Sequence, residues 1–490
     1  MGGMAWRHGV VTSAVMEADA RTSDREEGEL GSDVDEKEPF KGVEEIEDES
    51  DVDEAAWIEA RRKKRRMIAE KHRHETRANA REAMVERTEE IHVEEEKTKE
   101  KPKPRETKVQ DELDMFSDSP AEKDVDGVGV AHATTGLRDS WDDVEGYYIF
   151  QVGEVLDQRY KVTSAHGKGV FSTVLRAIDL EAEPRGIQTS EVAIKVIRAN
   201  EVMLKAGRQE QEILQTLAKY DPNNQKFCIR MTDSFEYRNH LCLVFEPMAL
   251  NLREVLKKYG RGIGISIRAV QVYATQFFVA LQHLKFCNII HADIKPDNIL
   301  ANDEKNPTVV KICDLGSAMT RGENELTPYL ASRFYRAPEV ILGMRYDVPM
   351  DMWSVGCCLF ELYTGRILFP GRTNNEMLKY MMDYKGPLSK KMLRRGIFSS
   401  RHFDDSGAFG LLEEDKVSGQ QVRKILHVMK ASKNLTRELQ SSTLRPDPAT
   451  KRKVNQLGDL LEKIFVLDPE KRITVDEALA HPFVREPLQS

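Results

Sequence analysis

The chain has 490 residues, of which 32% are charged and 40% hydrophobic, and its formal net charge is −9. This length allows roughly two or three domains of average size. No apolar run reaches the roughly 18 residues that a membrane span requires, so we expect a soluble intracellular protein without a membrane association. The six cysteines stand in apolar contexts without the spacing of metal ligands, which favours reduced thiols in a core over disulfides.

A charged arm occupies the first part of the chain, over residues 1–140. Between Asp19 and about Asp126 the composition is dominated by Glu, Asp, Lys and Arg, with few aromatic residues. Such a segment cannot bury enough apolar surface to offset its conformational entropy, so we expect it to be largely disordered or loosely helical. Beyond the arm the composition is globular, and we place a lead-in segment at 141–159 and a folded domain at 160–483.

A run of six cations lies inside the arm, at Arg61–Arg66. Such a run is typical of a nuclear-import signal, of a nucleic-acid contact or of one face of an exposed helix. No aromatic side chains alternate with the cations for base stacking, which argues against direct nucleic-acid binding. The favoured interpretation is a signal that an import receptor binds, and it predicts a nuclear protein.

A glycine-containing turn follows the first strand-like run of the domain. It reads Gly167-Lys168-Gly169-Val170-Phe171-Ser172-Thr173-Val174. Glycines let backbone amides close over phosphate groups because no Cβ stands in the way. In the Gly-x-Gly-x-x-Gly pattern of glycine-rich phosphate-binding loops, Ser172 occupies the place of the third glycine. By itself the segment is equally consistent with an ordinary β-hairpin turn.

One cation, Lys195, interrupts the apolar strand-like run from Val192 to Ile197. A helix predicted over Glu201–Tyr220 follows this run and offers Glu210 or Glu212 as an ionic partner. Three apolar residues follow Glu210 at helical spacing, namely Ile213, Leu214 and Leu217. They define the face that would meet the core, and Glu210 shares that face, so we select Glu210 as the partner.

The densest motif is the loop His291–Asn298 together with Asp314, which follows after a further apolar run. The loop contains Asp293, Lys295 and Asn298. Phosphoryl transfer needs groups of these kinds, because a carboxylate orients the attacking hydroxyl and an Asn and an Asp hold Mg²⁺. Chance does not easily assemble them in this order behind a glycine turn and a strand lysine.

Taken in order, these segments resemble the catalytic and activation segments of eukaryotic protein kinases. The resemblance implies an α+β, bilobal fold, with a small β-rich N-lobe at about 160–247 and a large α-helical C-lobe at about 248–483. It also implies ATP and Mg²⁺ as cofactors. A pseudokinase would lack a catalytic group, and here the strand lysine, the loop aspartate, the asparagine and the second aspartate are all present.

The resemblance implies a role for each group of the catalytic loop. Asp293 would orient the substrate hydroxyl and accept its proton, and Lys295 would neutralise the transferring phosphoryl group. Asn298 and Asp314 would hold Mg²⁺. Asp297, where many kinases carry glutamate, would be structural.

A nucleotide site follows from the same resemblance. Lys195 would contact the α- and β-phosphates and would be held by Glu210. Glu246 and Met248 end an apolar run that would equally suit a plain buried strand, and they would offer backbone groups to the adenine ring. The predicted ATP-binding set is Gly167, Lys168, Gly169, Val170, Phe171, Ser172, Val174, Ala193, Lys195, Glu246, Met248 and Leu300.

Two departures from the kinase pattern are informative. Ala292 replaces the arginine that normally pairs with a phosphate on the activation loop, and Leu315 replaces the Phe of Asp-Phe-Gly. Tyr329, followed by Arg333 and Arg336, resembles the dual-specificity tyrosine-regulated branch of the family. That resemblance implies a phosphorylated Tyr329 clamped by the two arginines through charge-assisted hydrogen bonds, and we expect the kinase to phosphorylate this tyrosine itself.

The C-terminal part continues the resemblance. Asp351 would brace the backbone of the catalytic loop, and Arg472 would pair with Glu339. The polar stretch at 385–453 resembles an insertion of the same branch. We expect it to form a helical docking surface, with some disorder around 441–450.

Three stretches carry a closer resemblance, Trp141–Tyr148, the His-Ala-Asp sequence at 291–293 and Asn251–Gly260. They are similar to the family of spliceosome-associated pre-mRNA-processing serine/threonine kinases. The resemblance implies a nuclear kinase of spliceosomal proteins, especially tri-snRNP components, and we expect a monomeric kinase domain. The arm is shorter than is usual in that family and lacks Arg-Ser repeats. A cytoplasmic growth or stress kinase of the same branch and a splicing scaffold with incidental catalysis stay open as alternatives.

Overall fold

The computed structural model describes residues 141–143, 145–169, 172–182, 190–322, 326–414, 421–442 and 446–487. The charged arm with its Arg61–Arg66 cluster lies outside these residues, as do Val170 and Phe171. The described chain folds into a β-rich N-lobe and a mainly helical C-lobe, which confirms the predicted α+β bilobal fold. In this part of the chain, no helix combines the length and the apolarity that crossing a bilayer would need.

The N-lobe consists of one antiparallel sheet and one long helix. Its strands are β1 (Val155–Leu156), β2 (Tyr160–Lys168), β3 (Ser172–Asp179), β4 (Glu191–Ile197), β5 (Met231–Tyr237) and β6 (His240–Phe245). They form a six-stranded sheet in the order β1-β2-β3-β4-β6-β5. Helix α1 (Glu201–Lys219) connects β4 to β5, and the Asn200 side chain caps it by accepting a hydrogen bond from the Val202 amide.

The two faces of the N-lobe sheet belong to different cores. Along β6, Leu241 and Leu243 pack with α1, whereas Cys242 and Val244 point to the opposite face, as the two-residue period of a strand requires. The lead-in segment covers that opposite face with Tyr148, which is buried there. The lead-in is therefore an integral part of the folded N-lobe.

The C-lobe contains the remaining helices and several short strands. Its helices are α2 (Leu252–Val255), α3 (Ile267–Phe286), α4 (Pro338–Ile341), α5 (Pro349–Thr364), α6 (Asn374–Lys385), α7 (Lys390–Arg395), α8 (Leu435–Ser441), α9 (Pro448–Ile464), α10 (Val475–Ala480) and α11 (Pro482–Arg485). Its strands are β7 (Leu250–Asn251), β8 (Ile289–Ile290), β9 (Ile299–Ala301), β10 (Val310–Ile312), β11 (Met319–Thr320), β12 (Phe409–Glu414) and β13 (Gln421–Leu426). The catalytic loop connects β8 to β9, and Asp314 follows β10.

Helix α5 is the buried centre of the C-lobe. Trp353 stacks on Phe369 with ring centroids 5.5 Å apart and meets Phe465 edge-on at 5.0 Å. A Cβ at Gly356 would lie 2.5 Å from the side chain of Ile464, so this glycine allows α5 and α9 to approach closely. The rigid helix gives the catalytic loop a fixed support.

Two predicted contacts of the C-lobe are confirmed. Arg472 donates from both terminal nitrogens to the carboxylate of Glu339 at 2.6 and 2.8 Å, and both side chains are buried. Asp351, on α5, accepts hydrogen bonds from the backbone amides of His291 at 2.8 Å and Ala292 at 2.9 Å. Glu339 and the loop that contains His291 and Ala292 are thereby attached to the helical core.

The insert at 385–453 is only partly helical, so the helical prediction was wrong for part of it. Between α7 and α8 the chain forms the β12–β13 hairpin, whose register runs from Phe409 opposite Leu426 to Glu414 opposite Gln421. Asn375 of α6 holds this hairpin by donating to the Gly410 carbonyl at 2.9 Å. Such pairing across the hairpin and onto α6 is a tertiary effect that polar composition does not reveal. Of the region predicted to be disordered, 443–445 lies outside the described residues and α9 begins at 448.

Candidate active site

A cleft of about 610 Å³ opens between the lobes, which is within the roughly 300–1,000 Å³ usual for small-molecule sites. Its lining contains these predicted residues: Gly167, Lys168, Gly169, Ser172, Val174, Ala193, Lys195, Glu210, Glu246, Met248, Asp293, Lys295, Asn298, Leu300 and Asp314. The structure thus brings the predicted nucleotide, catalytic and metal residues that it describes to one cleft. Tyr329, Arg333 and Arg336 lie outside this lining, on the chain between Asp314 and Glu339, which we call the activation segment.

Lys195 joins two carboxylates in the cleft. Its Nζ lies 2.7 and 2.9 Å from the two carboxylate oxygens of Glu210 and 2.9 Å from Oδ1 of Asp314. Burial by itself would lower the pKa of Lys195, but the charges of Glu210 and Asp314 outweigh burial and raise this pKa. In return, the charge of Lys195 holds the pKa of Asp314 below its ordinary value. Lys195 is therefore a cation and Asp314 an anion at neutral pH.

The N-lobe sheet and α1 position this cluster together. Lys195 lies on β4, opposite Val174 of β3 and Leu243 of β6. Glu210 lies on the buried face of α1 and is only 4% exposed, whereas Glu212 lies on the exposed side of the same helix. The i+3, i+4, i+7 pattern on α1 distinguishes the two glutamates because only one of them shares the apolar face.

Asp293 is the central acid of the catalytic loop. Its carboxylate accepts hydrogen bonds from the amide of Ser332 at 3.0 Å and from its hydroxyl at 2.7 Å. Lys295 lies 3.0 Å from the Asp293 carboxylate and 2.9 Å from the Ser332 hydroxyl. Asn298 donates its side-chain N–H to the carbonyl oxygen of Asp293 at 2.9 Å and to its carboxylate at 3.0 Å. The orientation of the Asp293 carboxylate is thus fixed from several sides.

The backbone of the catalytic loop has an unusual conformation at the position of the missing arginine. Ala292 is buried and has a left-handed φ of 65°, which costs free energy for any residue but glycine. Asp351 holds this turn through the amides of His291 and Ala292, and burial raises the pKa of the Asp351 carboxyl. Since Ala292 carries no charge, the support that arginine usually gives to the activation segment must come from other residues.

Glu246 lies in the connection between the lobes, and its carboxylate has a structural role there. Both of its carboxylate oxygens lie 2.7 Å from Nζ of the buried Lys311, and Asn224 donates to the same carboxylate at 3.0 Å. The Glu246 amide donates to the carbonyl of Arg230 at 3.1 Å. The backbone carbonyl of Glu246, together with the backbone of Met248, is therefore the part that could meet a base in the cleft.

The donors around Asn298 and Asp314 fit a magnesium ion that is bound together with a nucleotide. Asn298 commits its amide nitrogen to Asp293, which leaves its Oδ1 as a ligand, and the half-exposed Asp314 carboxylate lines the same cleft. Within the described ranges, no group of three or more His, Cys, Asp or Glu side chains could hold a metal ion. Mg²⁺ commonly binds through one or two protein oxygens plus phosphates and water, so a small protein donor set suits it.

A family model described as "Protein kinase domain" matches residues 160–484. The chain belongs to the protein kinase family. It is 49% identical over 378 residues to the serine/threonine-protein kinase prp4 of Schizosaccharomyces pombe, covering 76% of this chain and 77% of that protein. It is 45% identical over 405 residues to the serine/threonine-protein kinase prpf4B of Dictyostelium discoideum, covering 79% and 49%. It is 33% identical over 358 residues to the dual specificity protein kinase CLK2 of Homo sapiens, covering 70% and 67%. This protein is accordingly a serine/threonine kinase.

The activation segment of the kinase holds Arg336 close to Tyr329. Arg336 is 1% exposed; it donates to backbone carbonyls of the preceding segment, that of Tyr329 included, and to the Asn374 side chain at 2.7 Å. Its guanidinium lies 5.8 Å from the centroid of the Tyr329 ring. Arg333 begins the short turn Arg333–Tyr335 and is partly exposed. The phosphotyrosine clamp stays a prediction.

The lead-in of the kinase contributes contacts that sequence reasoning missed. The Tyr147 hydroxyl donates to the carbonyl of Gly169 in the glycine turn at 2.9 Å. The Lys168 ammonium lies 3.9 Å and the Arg198 guanidinium 4.3 Å from the centroid of the Tyr147 ring. Asp143 adds an ion pair with Lys168 at 3.3 Å. No spacing rule links these positions, because tertiary packing brings them together. The role of Ser332 beside Asp293 was missed for the same reason.

Proposed function

We propose that this kinase binds ATP with Mg²⁺ in the cleft and phosphorylates serine and threonine residues of spliceosomal proteins in the nucleus. The observation that carries the catalytic part is the joint position of Lys195, Glu210 and Asp314 in the same cleft as Asp293. Bound ATP would supply the phosphoryl group, and Mg²⁺ would neutralise its charge. The splicing part rests on sequence similarity.

The residues of the cleft would divide the work of phosphoryl transfer. Asn298 and Asp314 would hold Mg²⁺, and Lys195, kept cationic by its acidic partners, would hold phosphate oxygens. Asp293 would accept a hydrogen bond from the substrate hydroxyl and take up its proton. Lys295, 3.0 Å from that carboxylate, would balance negative charge beside it. Catalysis by these groups is mainly positioning and electrostatic stabilisation.

The walls of the cleft are suited to a nucleotide base. Val174, Ala193 and Leu300 line it with apolar surface, and Met248 and the Glu246 backbone lie at its edge. Apolar walls with a few polar backbone groups favour a flat heterocycle such as adenine. A Cβ at Gly167 would meet no atom within 4 Å, and one at Gly169 would lie 3.9 Å from the Ser172 carbonyl oxygen. Because neither glycine carries a Cβ, their backbone can approach phosphates. We include Lys168, Val170, Phe171 and Ser172 in this part of the site.

The splicing role is supported by two similarities. The stretches Trp141–Tyr148 and Asn251–Gly260 resemble spliceosome-associated pre-mRNA-processing kinases, and the kinase is 49% identical to prp4 of Schizosaccharomyces pombe over most of both chains. Arg61–Arg66 would serve as the signal for an import receptor. The proposed substrates are accordingly nuclear, with tri-snRNP proteins as the first candidates.

Complementation tests this function and distinguishes it from the alternatives. In cells that lack the corresponding kinase, the wild-type chain should restore splicing, and the Asp293→Ala and Lys195→Arg variants should fail at equal expression. Rescue by Asp293→Ala would show a scaffold. Phosphoproteomics after acute inhibition should show losses on spliceosomal proteins, whereas losses confined to cytoplasmic proteins would show a growth or stress kinase.

We further propose that the kinase phosphorylates its own Tyr329. The proximity of Arg336 supports this proposal, because a guanidinium stabilises a phosphate through charge-assisted hydrogen bonds. Mass spectrometry of the protein produced in bacteria should find phosphate on Tyr329 of the wild type and none on the Asp293→Ala variant. Equal Tyr329 phosphorylation of the inactive variant would exclude self-modification.

A further inference from the structure

An acidic pocket beside the catalytic loop is filled by a side chain of the kinase itself. The pocket consists of the carboxylates of Asp297 and Glu361 and the hydroxyl of Tyr335, and the guanidinium of Arg253 occupies it. Arg253 donates to the two carboxylate oxygens of Asp297 at 2.9 and 3.0 Å, to Glu361 at 2.9 Å and to the Tyr335 hydroxyl at 2.9 Å. Tyr335 in turn donates to Glu361 at 2.6 Å. We call the three residues that surround the guanidinium, Asp297, Glu361 and Tyr335, the Arg253 pocket.

The Arg253 pocket lies where a protein substrate would pass. Asp297 belongs to the catalytic loop and lines the same cleft as Asp293 and Lys295. Tyr335 ends the turn that begins directly after Ser332, whose amide and hydroxyl bind the Asp293 carboxylate. A peptide whose hydroxyl reaches Asp293 would therefore carry its neighbouring side chains towards this pocket.

The pocket is accessible from that side. The side chains of Arg253 and Asp297 are 42% and 41% exposed, whereas Glu361 and Tyr335 form a buried floor. Burial and the charge of Glu361 raise the pKa of Tyr335, so its hydroxyl stays a neutral hydrogen-bond donor to that carboxylate. An accessible mouth over an anionic floor is the arrangement that binds a guanidinium.

The charges show what Arg253 does there. Two carboxylates face one guanidinium, so the pocket carries a net charge of about −1 with Arg253 and about −2 without it. Each nitrogen of the Arg253 guanidinium already donates to a pocket member. Arg253 therefore has little capacity left to bind an acidic substrate residue, and its place in the pocket is the place that a substrate arginine would need.

We propose that Arg253 is a specificity-determining residue that fills this anionic pocket from within and thereby denies it to arginine side chains of substrates. In the wild-type kinase, an arginine near the phosphorylated serine accordingly does not raise kcat/KM through this pocket. Removal of the guanidinium creates a binding site for such an arginine. The inference rests on the protein kinase activity alone and is independent of the proposed splicing role.

Paired peptides test the proposal. Serine peptides that carry arginine, glutamate or norleucine, at one position at a time from four residues before the serine to four after it, are compared by kcat/KM with purified full-length kinase. The Arg253→Gln variant should prefer arginine at one position by roughly tenfold or more, because a single hydrogen bond to a charged group is worth at least about tenfold in affinity and norleucine makes none. The wild type and the charge-conserving Arg253→Lys variant should show no preference at that position.

A second substitution links the effect to the pocket. Adding Asp297→Asn to Arg253→Gln removes the accessible carboxylate, and the new preference for arginine should disappear. If Arg253→Gln fails to fold because Glu361 is left buried without its cation, Arg253→Gln combined with Glu361→Gln retains Asp297 and should still prefer arginine.

Three results would overturn the proposal. The first is a folded Arg253→Gln kinase, verified by its melting temperature, whose peptide preferences equal those of the wild type. The second is a preference for arginine that survives Asp297→Asn. The third is a wild-type preference for an acidic residue that Arg253→Gln abolishes, since Arg253 would then bind substrate directly. The ratio of paired peptides is measured within each variant, so a general loss of activity does not imitate the effect.

Discussion

Replacing Tyr147 by phenylalanine removes one hydroxyl, and with it the hydrogen bond that the lead-in donates to the Gly169 carbonyl at 2.9 Å. The ring itself stays, with its contacts to Lys168 and Arg198. A neutral hydrogen bond contributes about 0.5–1.5 kcal/mol, and every 1.4 kcal/mol is about tenfold in affinity. If the bond holds the glycine turn in the conformation that binds nucleotide, Tyr147→Phe should raise the dissociation constant for ATP by roughly two- to tenfold.

Isothermal titration with a non-hydrolysable ATP analogue and Mg²⁺ measures this effect. Tyr148→Phe is the matched control, because it removes the neighbouring hydroxyl, which donates to Glu154 at 2.7 Å and does not reach the glycine turn. The control should lower the melting temperature and leave the ATP affinity unchanged. Unchanged affinity in Tyr147→Phe, or an equal loss in Tyr148→Phe, would refute the role of the lead-in.

Three further predictions concern the catalytic cluster, the C-lobe core and the loss of stability at acidic pH. Glu210→Gln removes the charge that holds Lys195, and kcat should fall by roughly 100-fold because the lysine is misplaced. Peptide phosphorylation at saturating ATP measures this kcat, and an unchanged value would contradict the prediction. Arg472→Ala leaves Glu339 buried without its cation, and urea unfolding should show a loss of about 3–5 kcal/mol, with a loss under 1 kcal/mol as the contrary result. Burial lowers the pKa of His402 from 6.5 to about 4, so protonation favours the unfolded chain, and the stability that neutral His402 gives above pH 6.5 is lost as the pH falls towards 4. A His402→Gln variant should remove up to about 3 kcal/mol of this pH dependence of the unfolding free energy. Identical pH profiles of wild type and variant would refute this prediction.

The catalytic part of the fold could be predicted because its chemistry requires fixed residue types at short spacing. Asp293, Lys295 and Asn298 lie in one loop, and their relative positions follow from the local chain. Glu210 could be selected over Glu212 because helical periodicity assigns one of them to the buried face. Lys195 and Glu210 thus lie on a strand and a helix whose apolar patterns can be recognised in the sequence.

Other contacts could not be predicted because they depend on how distant segments pack. The β12–β13 hairpin has no strong alternation, and its pairing to α6 through Asn375 is a tertiary contact. Tyr147 and Gly169 are 22 positions apart in sequence and are in contact because the lead-in packs against the N-lobe. Arg253 is 44 and 108 positions away in sequence from its partners Asp297 and Glu361, so charge patterning along the chain gives no sign of the Arg253 pocket.

Phosphoryl transfer by an Asp293 variant tests the central claim most directly. Purified wild-type kinase and Asp293→Asn are given radiolabelled ATP, Mg²⁺ and a serine peptide, and ATP affinity is measured alongside. The cleft geometry predicts that Asp293→Asn binds ATP as the wild type does, while its kcat falls by roughly 10²–10⁴-fold, the contribution of a positioned general base. An Asp293→Asn kinase that transfers phosphate at the wild-type rate would contradict the assignment of this cleft as the active site.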